Sequence, residues 1–247
     1  MSESLKISWF GRCCFLVEYK GKKIIFDPYD TYYYNVDIGQ IDADILISSS
    51  TWHDHGHIGV SPQAQIYTYP GEYQYNGVII SGIEAREDRG TPTVIFNVRL
   101  GSFSITNFAD FGPETAKEFN QSLSEPNSKL LKSTTIAFIR PSIIGGEIKK
   151  NNTHNEIALN YCSPAIIFPE HYFPRSFIKD QVPETQKADF AKPNQIVDEM
   201  IKIFNYPVKE IDNYQVLINS ADLGNKNLLK LLRLPPQVKY LKTTPGV

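Results

Sequence analysis

The residues best suited to chemistry crowd into one short stretch. Trp52-His53-Asp54-His55-Gly56-His57 holds three of the five histidines of the 247-residue chain, with an aspartate among them. Imidazole and carboxylate are ligands that zinc, manganese and iron accept. His53-x-His55-x-His57 has ligand-like spacing on its own. The cysteines are few: Cys13, Cys14 and Cys162 show no zinc-knuckle spacing. Adjacent Cys13 and Cys14 on a strand would face opposite ways, so they are poor disulfide partners, and reduced thiols are expected. Cys14 reads as a core residue, since nothing beside it would activate a nucleophile. Tyr29, Tyr32, Tyr33 and Tyr34 form an aromatic loop after Asp27-Pro28. Anchoring of the loop is its first reading, and stacking on a substrate or partner the second.

The elements that must position these groups are mostly strands at first. Leu5–Phe10, Cys13–Tyr19 and Lys23–Phe26 are short apolar or alternating runs, punctuated by Gly11 and Gly21. Asp44–Ser48 is a short buried-type strand that runs directly into the histidine stretch. Ile66–Tyr69, Val78–Ser81, Thr93–Arg99 and Phe103–Asn107 continue the pattern. Helices are predicted later. Pro113–Leu123 has proline near its start and apolar residues at helical spacing. His154–Cys162 follows the capping residues Asn152 and Thr153, which makes His154 a first-turn residue rather than a ligand. Pro193–Phe204 carries Ile196, Val197, Met200, Ile201 and Phe204 on one face. Ile166–Pro169 and Tyr214–Asn219 read as strands. No repeat or linker is visible, and the expectation is one domain over residues 1–247, with two sheets and helices outside them.

The order of these features resembles the metallo-β-lactamase superfamily, particularly its ascorbate-phosphate-lactonase-like branch. The resemblance starts at Ser8-Trp9-Phe10-Gly11-Arg12-Cys13-Cys14-Phe15-Leu16-Val17-Glu18 and Ile24-Ile25-Phe26-Asp27-Pro28, and continues to residue 172. It implies an α+β fold, a four-layer αββα sandwich with the active site at one edge of the two sheets. In that family a strand runs into His-x-His-x-Asp-His. Counted from Asp44, the final Asp-His falls on Asp54 and His55, while the first two histidines fall on Ser50 and Trp52. A further family histidine falls on Glu87. Asn107-Phe108-Ala109-Asp110 takes the place of His-x-Gly-Asp, and Pro169-Glu170-His171-Tyr172 matches the last ligand. Arg12 replaces the histidine of the opening Gly-His turn.

One of the two metal sites implied by the resemblance is thus dismantled. Its former ligand positions are Ser50, Trp52 and Glu87, and Trp52 is expected either to fill the volume of the lost metal or to pack in the core. The second site is retained as Asp54, His55, Asp110 and His171. That set suits one zinc, manganese or iron ion with open positions, or a polar cleft with no metal. The implied activity is hydrolysis of a lactone, ester or phosphoester, with Asp54 or Asp110 orienting the water. The alternative is a non-catalytic relative that binds a small molecule or protein in the old cleft. Arg12 is expected in the cleft, paired with Glu87, Asp54 or Asp110, because crowded carboxylates need a counter-charge.

Composition narrows the partners. The 25 Lys+Arg and 27 Asp+Glu give a net charge of −2, without the basic excess of a nucleic-acid binder. No apolar run approaches the ~20 residues of a membrane helix, and the first residues lack the apolar core of a signal peptide. A cytoplasmic protein with a small-molecule substrate or ligand, and no nucleic acid or membrane partner, is the expectation.

Overall fold

The structure is a computed structural model that describes residues 3–87, 90–112, 119, 121–140, 154–201 and 206–241. Two large sheets form its centre. The first contains β1 (Ser4–Trp9), β2 (Phe15–Tyr19), β3 (Lys22–Phe26), β5 (Ile45–Ile47), β6 (Gln65–Tyr67) and β14 (Gln215–Asn219), in the order β14-β1-β2-β3-β5-β6. The second contains β7 (Gly71–Tyr75), β8 (Val78–Arg86), β9 (Pro92–Leu100), β10 (Phe103–Asn107), β11 (Ile136–Ile139), β12 (Ile166–Pro169), β13 (Val208–Ile211) and β15 (Asn227–Leu231), in the order β13-β15-β12-β11-β10-β9-β8-β7. A small ladder pairs β4 (Val36–Asp37) with β16 (Lys239–Tyr240).

Alternation along the strands explains the layering. Ile24 and Phe26 of β3 face the second sheet, packing in one core with Phe96, Phe138 and Phe168. Ile25, between them, faces the other way and packs with Phe173, Phe177 and Ile178 around the helix Arg175–Gln181. In β11, Phe138 points inward while Ala137 and Ile139 point outward, towards Leu131 of the helix Glu125–Lys132 and Ala158 of the helix His154–Tyr161. Side chains of period two cannot leave either face of such strands in water without cost, so each sheet is covered on both sides. The result is the αββα sandwich that the sequence implied.

Most differences from the sequence reading concern weak local signals. Strands β7, β11, β13 and β15 and the helices Glu125–Lys132 and Arg175–Gln181 were not foreseen. Pro193 does not open its helix, which runs Lys187–Ile201 with Pro193 inside it; a proline costs the helix one N–H donor but does not forbid continuation. The end of the expected helix at Phe204 and most of the one from Pro113 lie outside the described residues, though Phe119 and residues 121–122 are helical.

The topology gathers the chemistry at one edge. β3 and β5 are parallel, as are β10, β11 and β12. Their carboxyl ends deliver Asp27, the segment after Ile47, Asp110 and His171 to the same rim. The turn between β1 and β2 folds over that rim, and the Arg12 backbone N–H donates to the Tyr172 carbonyl at 2.9 Å. Gly11 makes this turn possible. Its φ is +95°, and a Cβ there would sit 2.7 Å from the Phe173 ring.

Candidate metal centre

The segment after β5 leaves the sheet through Ser48-Ser49-Ser50 and turns at Trp52, whose carbonyl accepts from the N–H groups of His55 and Gly56. This turn drives His55 into the interior, where it is fully buried. Its Nδ1 lies 3.1 Å from Asp27 Oδ2 and its Nε2 lies 3.3 Å from Asp110 Oδ2 and 3.7 Å from Asp54 Oδ2. His171, at the end of β12, brings its Nε2 to 3.1 Å from Asp110 Oδ1. Asp54, Asp110 and His171 place one ligand atom each within 4.8 Å of one another. The four groups assigned to the retained site are therefore together.

Asp27 anchors the arrangement. Its buried carboxylate accepts from the Ser49 N–H (2.6 Å), the Ser49 hydroxyl (2.8 Å) and the Asn107 amide (2.7 Å). It also holds His55 by the nitrogen that faces away from Asp110, the usual outer support of a ligating imidazole. Four non-glycine residues around the rim have left-handed backbones: Arg12, Asp27, Ala109 and His171, with φ of 52°, 43°, 51° and 62°. Each such residue costs about 1–2 kcal/mol, and such strain gathers where side chains must be aimed.

Electrostatics are strongly coupled. Burial favours neutral His55, but Cys13, Asp110 and Asp27 outweigh it and hold the imidazole's pKa well above its ordinary value. With Cys13 itself pushed up to about 12 by burial, and so a thiol, the two carboxylates carry this effect. Burial would likewise raise Asp110, yet His171, Arg140 and His55 bring it well below the carboxylate range. His171 is lowered to about 4, by burial first and by the two arginines against the pull of Asp110. Glu87 is raised to about 7 by burial and then by Asp110.

Several expectations are corrected. Trp52 neither fills a metal's volume nor packs in the core; it is 52% exposed, because the turn that buries His55 points it outward. Ser50 is buried, and its hydroxyl accepts from the Trp52 N–H at 3.1 Å. The His53/His55/His57 frame is not assembled: the His53 side chain is exposed and stacks on Tyr33, and His57 joins neither ligand cluster among the described residues. Arg12 does lie in the cleft, but among the described residues it makes no ion pair with a carboxylate. Its Nη1 donates to the His171 carbonyl (2.7 Å) and its Nη2 to the Tyr34 hydroxyl (2.7 Å). The cation on Asp110 is Arg140, 2.8 Å from Oδ1. Arg12 leaves the turn with a left-handed backbone, which aims it along the rim at His171 rather than across it.

Other site residues were missed. Cys13 donates to the Asp54 carbonyl at 2.7 Å, and its sulfur joins His55 and His171 in a second cluster with ligand atoms within 4.8 Å. Glu170 is wholly buried, neither of its oxygens is hydrogen-bonded among the described residues, and burial, then Asp27, pushes its pKa well up. A glutamate within an otherwise apolar strand end, Ile166-Ile167-Phe168-Pro169-Glu170, was its one sequence signal. Of the tyrosines, Tyr29 is core, Tyr34 holds Arg12, and Tyr32 and Tyr33 are exposed.

Do these groups fit a metal? Among the described residues, the buried Nε2 atoms of both His55 and His171 lack a hydrogen bond, although both lie beside a carboxylate. Two such imidazoles with Asp54 and Asp110 make a donor set suited to one zinc or iron ion.

A four-layer sandwich with clustered histidines and aspartates at its edge defines a protein of the metallo-β-lactamase fold. Residues 6–126 match the family model of the beta-lactamase superfamily domain. A candidate Zn-dependent hydrolase of the metallo-β-lactamase superfamily from Thermotoga maritima is 21% identical, with a TM-score of 0.63 over 93% of this chain and 100% of that one. The metallo-β-lactamase fold protein YhfI from Bacillus subtilis is 10% identical, with a TM-score of 0.52 over 88% of this chain and 99% of its own. CmlA, a diiron β-hydroxylase from Streptomyces venezuelae, is 11% identical, with a TM-score of 0.51 over 93% of this chain and 53% of its own. No curated protein sequence matches the chain. The family match covers just under half of the chain, and the structural likenesses show the fold.

Proposed function

We propose that this protein is a metal-dependent hydrolase that works with one metal ion, held by Asp54, His55, Asp110 and His171, on a lactone, ester or phosphoester. One observation carries the reading. The buried Nε2 atoms of His55 and His171 converge on the Asp110 carboxylate, at 3.3 and 3.1 Å, and neither has a hydrogen bond among the described residues. A bound ion supplies an acidified water and a Lewis acid for the substrate oxygen. The chain's own groups do the rest. Asp27 fixes the ring of His55, and Asp54, the more exposed of the two cleft aspartates, is placed to take a proton from water. The former ligand positions Ser50, Trp52 and Glu87 leave no histidine for a second ion. Elemental analysis after purification without chelator, with hydrolysis assays on a lactone, an aryl ester and an aryl phosphodiester, tests this. Metal-dependent turnover of one of the three is expected; protein without metal and without turnover would refute it.

A second reading has its own support. Arg140 on Asp110 supplies a counter-charge in the cleft without any ion. On that reading the protein is a non-catalytic relative that binds a small molecule or partner in the old cleft. Metal content separates the two.

A further inference from the structure

We propose that Arg12 locks His171 in the tautomer that carries its proton on Nε2, and that this lock makes the metal site a weak one that Arg12 gates. Its second half rests on the one-metal reading above; its first half does not. The Arg12 Nη2 lies 3.2 Å from His171 Nδ1 in hydrogen-bonding geometry. A guanidinium has five N–H donors and no acceptor. The contact is therefore a hydrogen bond only when Nδ1 offers a lone pair. A neutral imidazole with a lone pair on Nδ1 carries its hydrogen on Nε2. That nitrogen faces Asp110 Oδ1 at 3.1 Å, and a carboxylate is an acceptor. No hydrogen bond forms there among the described residues, so the contact from Arg12 is the one that selects the tautomer.

Arg12 is not free to swing away. Its Nη1 donates to the carbonyl of His171 itself, its Nη2 to the Tyr34 hydroxyl, and its backbone N–H to the Tyr172 carbonyl. Its guanidinium also lies 4.5 Å from the centre of the Tyr34 ring. A ligating histidine ordinarily gives its remote N–H to a carboxylate or carbonyl. His55 is held in that sense by Asp27, and His171 in the opposite sense by Arg12. Binding a metal through His171 Nε2 displaces the proton there. The neutral ring must then place an Nδ1–H against an N–H donor of Arg12, or Arg12 must give up its contacts.

The experiment needs no activity. Long-range proton–nitrogen NMR on the metal-free, histidine-labelled full chain reads the tautomer, with the His171 signals assigned by their loss in His171→Gln. The Nε2–H pattern is expected in the parent and in Arg12→Lys, whose ammonium is also a pure donor. In Arg12→Gln the amide oxygen can accept from Nδ1–H, so the Nδ1–H form should appear. Zinc titration by calorimetry should then show at least tenfold tighter binding in Arg12→Gln than in the parent. An Nδ1–H pattern in the parent overturns the lock, even if Arg12→Gln does not fold, and so does an unchanged Nε2–H pattern in a folded Arg12→Gln. Equal zinc affinities in parent and Arg12→Gln overturn the gating. Tautomers as expected with no zinc bound by any variant uphold the lock and refute the one-metal reading instead.

Discussion

Asp110 is where the side chains of the cleft meet: His55, His171 and Arg140 all touch its carboxylate. Its pKa is held well below the ordinary value, so it contributes stability above that value and loses it as pH falls through the folded one. Asp110→Asn should therefore destabilise the fold at neutral pH, and the deficit should shrink in acid. The loss should stay below the about 3–5 kcal/mol of a fully buried pair, because the Arg140 side chain is 32% exposed; urea unfolding at several pH values measures it. Glu87 carries the opposite sign. Raised from 4.5 to about 7, it favours folding while protonated and costs stability as pH rises through that window. Glu87→Gln should gain on the parent over the same window, and a pH-independent difference would contradict this. On the one-metal reading, His171→Ala and Asp110→Ala should abolish zinc binding in calorimetry, whereas His154→Ala should not. Unchanged zinc affinity in His171→Ala would mean the ligand set is misplaced.

The elements matter through their ends. Strands β3, β5, β10 and β12 stop at the same rim, and the turn after β1 closes over it. That turn tolerates little change. Gly11→Ala combines left-handed strain, about 1–2 kcal/mol, with a Cβ pressed on the Phe173 ring, a further about 1–3 kcal/mol. A drop in unfolding free energy of about 2–5 kcal/mol is the expected result of chemical denaturation. Trp52 sits in the other rim segment, yet points outward. Trp52→Ala should change stability by no more than about 0.5 kcal/mol, measured the same way; a core residue would lose several times that.

For the molecule as a whole, stability comes from three apolar layers, one between the sheets and one outside each. Phe138 lies in the middle layer, stacked on Phe15 with ring centres 4.2 Å apart and edge-on to Phe26 and Phe168. Phe138→Ala should cost about 3–5 kcal/mol by opening a cavity between the sheets. The one-metal reading also sets how many ions the rim should take. With Ser50 turned to a backbone N–H and Trp52 outside, at most one zinc per chain is expected in elemental analysis after reconstitution with excess metal. Two tightly held equivalents would refute that count.

Alternation and turn residues were enough to read β1, β2, β3, β5, β10 and β12, because each strand's burial is written in its own residues. The order of Asp54, His55, Asp110 and His171 behind those strands was legible through the family resemblance, which implies ligands at strand ends. Strands such as β13 and β15 were not legible, since they carry little pattern of their own and take their places by pairing, β15 with β12 and β13 with β15. The site's charge balance was hidden as well. The sequence showed that the carboxylates near Arg12 needed a cation, but it offered Arg12 for a role that Arg140 fills. Cys13, Asp27 and Glu170 stood in or beside the quoted motifs, but no role in the cleft was read for them. Where a side chain points after a strand ends depends on loop backbone angles, here left-handed at Arg12, Asp27, Ala109 and His171, and on partners up to 159 positions away. Local pattern encodes neither. The chain's order therefore determined which residues reach the rim, and only the tertiary structure decided which of them touch.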